Sequence, residues 1–107
     1  MEIQFKSYLI RITSLALIQL TTSKRRHTIS DRKCSDVVGS CINIADAFVS
    51  ELVKDGIEDE ILCQLATLAF IEKSRRKKDI SSNALMAAHD AIATAKDLYK
   101  TIQTKDL

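Results

Sequence analysis

The chain has no proline, no tryptophan and only two glycines. Tight hairpins depend on residues of that kind, so an all-β architecture is disfavoured. Aromatic residues are also scarce, with three phenylalanines and two tyrosines. None is interleaved with the basic runs, which leaves a single-strand or RNA platform without its usual stacking component. A membrane span is not expected. Arg11 interrupts the apolar stretch from Tyr8 to Leu20, and the remainder, Ile12 to Leu20, falls far short of the roughly 20 residues a spanning helix needs. A secretion signal carries basic residues before its apolar segment. Here Glu2 precedes the segment and Lys24-Arg25-Arg26 follows it, so a cytoplasmic protein is the expectation. Three cysteines, an odd number, argue against a disulfide framework and for a reducing compartment.

Chemical motifs are missing as well. The chain has no glycine-rich phosphate loop, no G-x-S-x-G elbow, no H-E-x-x-H and no Glu-x-x-His pair of the di-metal bundles. Cys34 and Cys41 stand seven residues apart, too far for a C-x-x-C zinc pair, and read as small core residues together with Cys63. Cys34, near Arg32 and Lys33, has the surroundings that lower a thiol pKa, but nothing else there supports catalysis. His89 and Asp90 are neighbours in sequence and do not face each other on a helix. No enzyme activity, catalytic residue, metal or cofactor is expected.

What remains is a helix-forming composition of 107 residues, 46% of them hydrophobic, in the size range of one domain spanning 1–107. Apolar spacing predicts four helices, at about 2–22, 32–54, 58–74 and 82–104. Helix one carries two stripes. Phe5, Leu9, Ile12 and Ala16 form the first, and Ile3, Ile10, Leu17 and Ile18 the second. One buried face suffices in a lone bundle, so the second stripe is expected to mediate self-association in a symmetric dimer. Ser30 or Asp31 is positioned to cap helix two, and Gly56 to end it in a left-handed conformation. Gly39, inside helix two, is expected where a neighbouring helix comes close. Helix three is apolar around most of its circumference and is expected to be the most buried. Asp79, Ser81 or Ser82 can cap helix four, whose seam Leu85, Ala88, Ile92, Ala95, Tyr99 and Ile102 alternates spacings of three and four.

The fold class expected is all-α, an antiparallel up-and-down four-helix bundle that dimerises through helix one. That topology gathers Lys24, Arg25, Arg26, Arg32, Lys33, Lys73, Arg75, Arg76, Lys77 and Lys78 at one pole. These are ten of the sixteen cations, against Asp31, Asp36, Glu72 and Asp79. The opposite pole sets Glu51, Asp55, Glu58, Asp59 and Glu60 against Lys54. A net charge of +2 therefore hides a bipolar molecule. The nine candidate partner- or phosphate-binding residues are Lys24, Arg25, Arg26, Arg32, Lys33, Arg75, Arg76, Lys77 and Lys78. The functional expectation is a non-enzymatic interaction protein that binds an acidic or apolar protein through this basic end and a helical face. The alternative is a nucleic-acid accessory protein that contacts phosphates through the same end, with little reading of sequence.

Overall fold

A computed structural model describes residues 1–24, 31–76 and 84–105, with side chains described for 1–22, 35–76 and 84–105. Among the described residues the chain is all-helical, with four helices and no strands, consistent with a helical bundle. They are α1 (Ile3–Lys24), α2 (Asp31–Lys54), α3 (Glu60–Arg75) and α4 (Ala84–Thr104). The expected caps Ser30, Asp79, Ser81 and Ser82 lie outside the described residues.

The turn between α2 and α3 follows from local chemistry. Gly56 has φ +69°, a left-handed conformation that glycine adopts without a Cβ penalty. Its N–H donates to the Val53 carbonyl at 3.0 Å, and the Ile57 N–H donates to the Leu52 carbonyl at 3.1 Å. These two bonds make a Schellman motif, and its apolar clasp is present, since Leu52 and Ile57 are both buried. Two residues later Asp59 caps α3. Its carboxylate accepts from the backbone N–H groups of Ile61 at 2.9 Å and Leu62 at 3.1 Å.

Helix α1 packs mainly on α2, and α3 on α4; α2 also touches α4, and α1 touches α3. At the centre, Phe48 of α2 and Phe70 of α3 stack with ring centroids 4.4 Å apart and planes 6° from parallel. Around them lie Leu9 and Leu17 of α1, Val49 and Leu52 of α2, Cys63 and Ala66 of α3, and Ala87, Ala88, Ala91, Ile92 and Ala95 of α4. The alanines let α4 approach its neighbours closely, a requirement of small-residue packing.

Three expectations change and one is qualified. First, the second stripe of helix one is not an outward face. Leu17 is fully buried in the chain's own core, Ile10 and Ile18 pack against that core, and only Ile3 stands free, 81% exposed. The reason is that α1 contacts both α2 and α3, so its buried arc is broad and draws on both stripes, with Thr13 and Ser14 included. The hydroxyl of Ser14 donates to the Ile10 carbonyl at 2.6 Å, which satisfies it locally. Second, α3 is the most buried of the four helices among the described residues, as expected, but it is not covered all round. Its inner arc of Cys63, Ala66, Thr67, Phe70 and Ser74 is covered, but Ile61 and Leu68 are 54% and 64% exposed. Third, Leu85 does not join the α4 seam; it is exposed, and Ala87 and Ala91 are buried beside Ala88, Ile92 and Ala95. Fourth, no described neighbour lies within 4 Å of where a Cβ on Gly39 would sit, so no close helix contact requires it.

The helices are staggered along the long axis. Ala84, the first residue of α4, lines a surface groove with residues of α2 from Ser35 to Ala47. Further on, His89 reaches Glu51. The last turns of α4 therefore run past the end of α2, where Leu98 is exposed. This accounts for a molecule 48 Å long, longer than the roughly 36 Å of a 24-residue helix. Its radius of gyration is 14.5 Å, above the about 13 Å of a spherical chain of this length.

Candidate functional site

Two of the nine basic candidates have described side chains. Arg75 and Arg76 stand at the C-terminus of α3, with side chains 63% and 80% exposed. Their placement follows from helix electrostatics, since cations suit the negative end of the dipole. Both reach the same carboxylate, Glu72, at 3.9 Å and 3.7 Å. One acid facing two guanidiniums leaves a local excess of positive charge. Exposed contacts of this length contribute little, about 0–1 kcal/mol, so both guanidiniums keep donors for another anion. Arg25, Arg26, Lys77 and Lys78 lie outside the described residues, as do the side chains of Lys24, Arg32 and Lys33.

Next to Arg75 runs a face of α3 that sequence reasoning did not single out. Ile61, Leu65 and Leu68 are spaced four and three apart, and the helical turn places them on one outward stripe. Leu65 is half-buried; the other two are mostly exposed. The available signal was the apolar character of helix three all the way round, which means either deep burial or a second contact surface.

The far end is held by a different set of contacts. The Tyr99 hydroxyl donates to the second carboxylate oxygen of Asp59 at 2.8 Å, bringing the last turns of α4 to the first turn of α3. Helix N–H donors, first that of Leu62, and the Tyr99 hydroxyl hold the Asp59 carboxyl below its ordinary value of 3.8. The same carboxylate pushes the Tyr99 phenol above its ordinary 10.0. Because the folded carboxyl is depressed, its contribution is complete above the unfolded value and fades as pH falls through the lower folded value. The phenol is raised, so its contribution is complete below 10.0 and fades as pH rises through the folded value. Tyr99→Phe is therefore expected to lower the melting temperature by a few degrees near pH 7. It should also flatten the stability profile on the alkaline side above pH 10.0, with Asp59→Asn flattening it below pH 3.8. Thermal melts by circular dichroism from pH 2 to pH 11 check this, and superimposable profiles would refute it.

Nearby, the nearly buried Glu51 carboxylate meets His89 Nε2 at 3.5 Å and Lys54 Nζ at 3.9 Å. Asp90 and Asp46 are exposed. The thiols of Cys41 and Cys63 are buried, and burial pushes both above the ordinary value of 9.0. For Cys41 a weak contact with the Thr21 hydroxyl at 4.0 Å works the other way. A thiol held protonated in this way is a poor nucleophile and metal ligand. The side chain of Cys34 lies outside the described residues. Among the described residues no three His, Cys, Asp or Glu side chains are grouped to hold a metal ion, and no helix is long and apolar enough to cross a membrane.

Comparison with protein-family models, curated proteins and solved structures finds no match to this chain.

Proposed function

We propose that this chain is a non-enzymatic interaction protein, built as an antiparallel up-and-down bundle, that binds an acidic protein at its basic pole and uses an apolar helical face for a second contact. The observation that carries the reading is the pairing of Arg75 and Arg76, exposed and shared by one carboxylate, with Ile61 and Leu68, exposed on the same helix beside the half-buried Leu65. The up-and-down course is supported by three contacts. Thr21 near the end of α1 meets Cys41 in α2, Tyr99 near the end of α4 meets Asp59 before α3, and the Met1 ammonium before α1 meets Glu58 before α3 at 3.9 Å. In this course the end of α1 and the end of α3 face the same way, which supports reading the two basic runs of the sequence together.

Retention on immobilised polyglutamate and binding to duplex DNA, each over a salt series, test the reading. The wild-type chain is expected to be retained on polyglutamate, and a variant with Arg25, Arg26, Arg75 and Arg76 all changed to alanine is expected to elute early. Duplex DNA binding is expected to be weak, with little dependence on salt. Strong DNA binding whose logarithmic salt slope falls by about 3–4 in the quadruple variant would instead mean phosphate contacts. That result would replace the protein-partner reading by the nucleic-acid one. Equal retention of both forms on polyglutamate would remove the basic pole from the proposal.

A further inference from the structure

We infer that the last two turns of α4, residues 98–104, form a strap that opens and closes as a unit while the rest of the bundle stays folded, and that the Tyr99–Asp59 hydrogen bond is its latch. The strap stands at the start of α3, away from Arg75 and Arg76 at its end, and does not depend on what they bind. Three observations set these turns apart. The first is support. α4 runs alongside α2 in the same direction, from Ala84 in the groove that ends at Ala47 to His89 at Glu51. α2 stops three residues after Glu51, whereas α4 continues fifteen residues, or roughly 22 Å, beyond His89. The strap therefore lies past α2, beside the start of α3. The second is burial. Ala87, Ala88, Ala91, Ile92 and Ala95 are buried, and no described residue after Ala95 is. Within the strap only Tyr99 and Ile102 are half-buried, and Leu98 is exposed. The cost of a local opening follows the apolar surface it uncovers, so these turns open more readily than the helix before them.

The third observation is how the strap is tied. The Thr101 and Thr104 hydroxyls donate to the carbonyls of Asp97 and Lys100 in their own helix and reach nothing beyond it. Neither Asp97 nor Lys100 is in an ion pair among the described residues. What remains is the Tyr99 hydroxyl, which donates to Asp59 Oδ2 at 2.8 Å. The catch is fixed independently of the strap. Oδ1 of the same carboxylate accepts from the Ile61 and Leu62 N–H groups, and the left-handed Gly56 turn holds the chain just before it. Breaking the Tyr99 bond leaves both cap bonds in place. The first turn of α3 therefore persists while α4 lets go, and Oδ2 stays positioned to take the hydroxyl back.

Amide hydrogen exchange of the whole chain, read residue by residue by NMR, tests the strap. In the wild type, amides of residues 99–104 are expected to exchange at least about tenfold faster than those of residues 88–95, yet slower than an unprotected peptide. Tyr99→Phe is expected to raise exchange at 99–104 by about three- to tenfold. Phe70→Leu weakens the core and leaves the latch alone. It is expected to raise exchange at 88–95 while 99–104 stay within about twofold of wild type. Sub-denaturing urea separates the two regions without a substitution. Exchange at 88–95 is expected to rise steeply with urea and exchange at 99–104 only slightly, because little surface is uncovered there. Rates at 99–104 that climb with Phe70→Leu or with urea as steeply as those at 88–95 overturn the strap, since the end of α4 then opens only with the bundle. Amides at 99–104 that exchange as fast as a free peptide in the wild type, or that do not respond to Tyr99→Phe, overturn the latch.

Discussion

Phe70→Ala is expected to destabilise the chain by about 3–5 kcal/mol, the range for removing a fully buried aromatic side chain. Phe70 is wholly inaccessible to solvent and stacks on Phe48, itself 1% exposed. The loss has two parts. Apolar surface on both rings loses its partner, and the surrounding helices cannot close a hole of this size without shifting. The offset from stacking geometry adds a smaller amount, about 0.5–1.5 kcal/mol. Domains of this size have only about 5–15 kcal/mol to lose. A fall in melting temperature of more than about 12 °C is therefore expected, read by circular dichroism and by urea titration. Phe70→Leu keeps most of the volume and is expected to cost less than about 2 kcal/mol. If Phe70→Ala melts within a few degrees of wild type, the Phe48–Phe70 stack is not the centre of the core.

The second large effect is expected where the core is tight. Ala91→Leu inserts three carbons at a position with no exposed surface, on the alanine-rich side of α4 that meets α3 and α2. Overpacking of this kind costs typically about 1–3 kcal/mol, because neighbours leave their rotamers or the helices part. Ala93, on the same helix, is exposed. The same change there, Ala93→Leu, is expected to lie within about 0.5 kcal/mol of neutral. The pair uses one substitution and one helix and differs only in facing direction. Equal effects at the two positions would mean that α4 is rotated from the orientation described here.

The same residues mark how far one-dimensional pattern carries. Helix type was legible everywhere it was tested, because apolar spacing of three and four states which side of a helix seeks cover. The Gly56 break was legible too, since only a residue without Cβ takes φ +69° without penalty. On α4 the seam positions Ala88, Ile92 and Ala95 were readable, while Leu85 misled, being apolar, in phase and exposed. Phase within a helix does not say where a neighbouring helix stops covering it. Gly39 misled for the opposite reason: a missing side chain suggests close contact, yet the space beside it among the described residues is open.

For the candidate site, sequence marked the two basic runs, of which Arg75 and Arg76 are described at the end of α3. It missed Ile61, Leu65 and Leu68, because a helix apolar all round gives no phase from which to tell the covered arc from the open one. It also missed Tyr99 and Asp59. Forty residues separate them, and Tyr99 read as one more seam position. No local rule announces that a helix cap will accept a second hydrogen bond from a distant helix.

The amino-acid order by itself determined the all-helical class and the glycine turn before α3, since each depends on interactions within a few residues of chain. Tertiary structure alone decided that α1 buries residues of both of its stripes, that His89 of α4 meets Glu51 near the end of α2, and that α3 keeps a leucine and an isoleucine in water. Those outcomes depend on which helices touch and at what height. Hydrophobic burial rewards covered area without regard to sequence distance, so the arc that finds a neighbour is settled only when all four helices are packed at once.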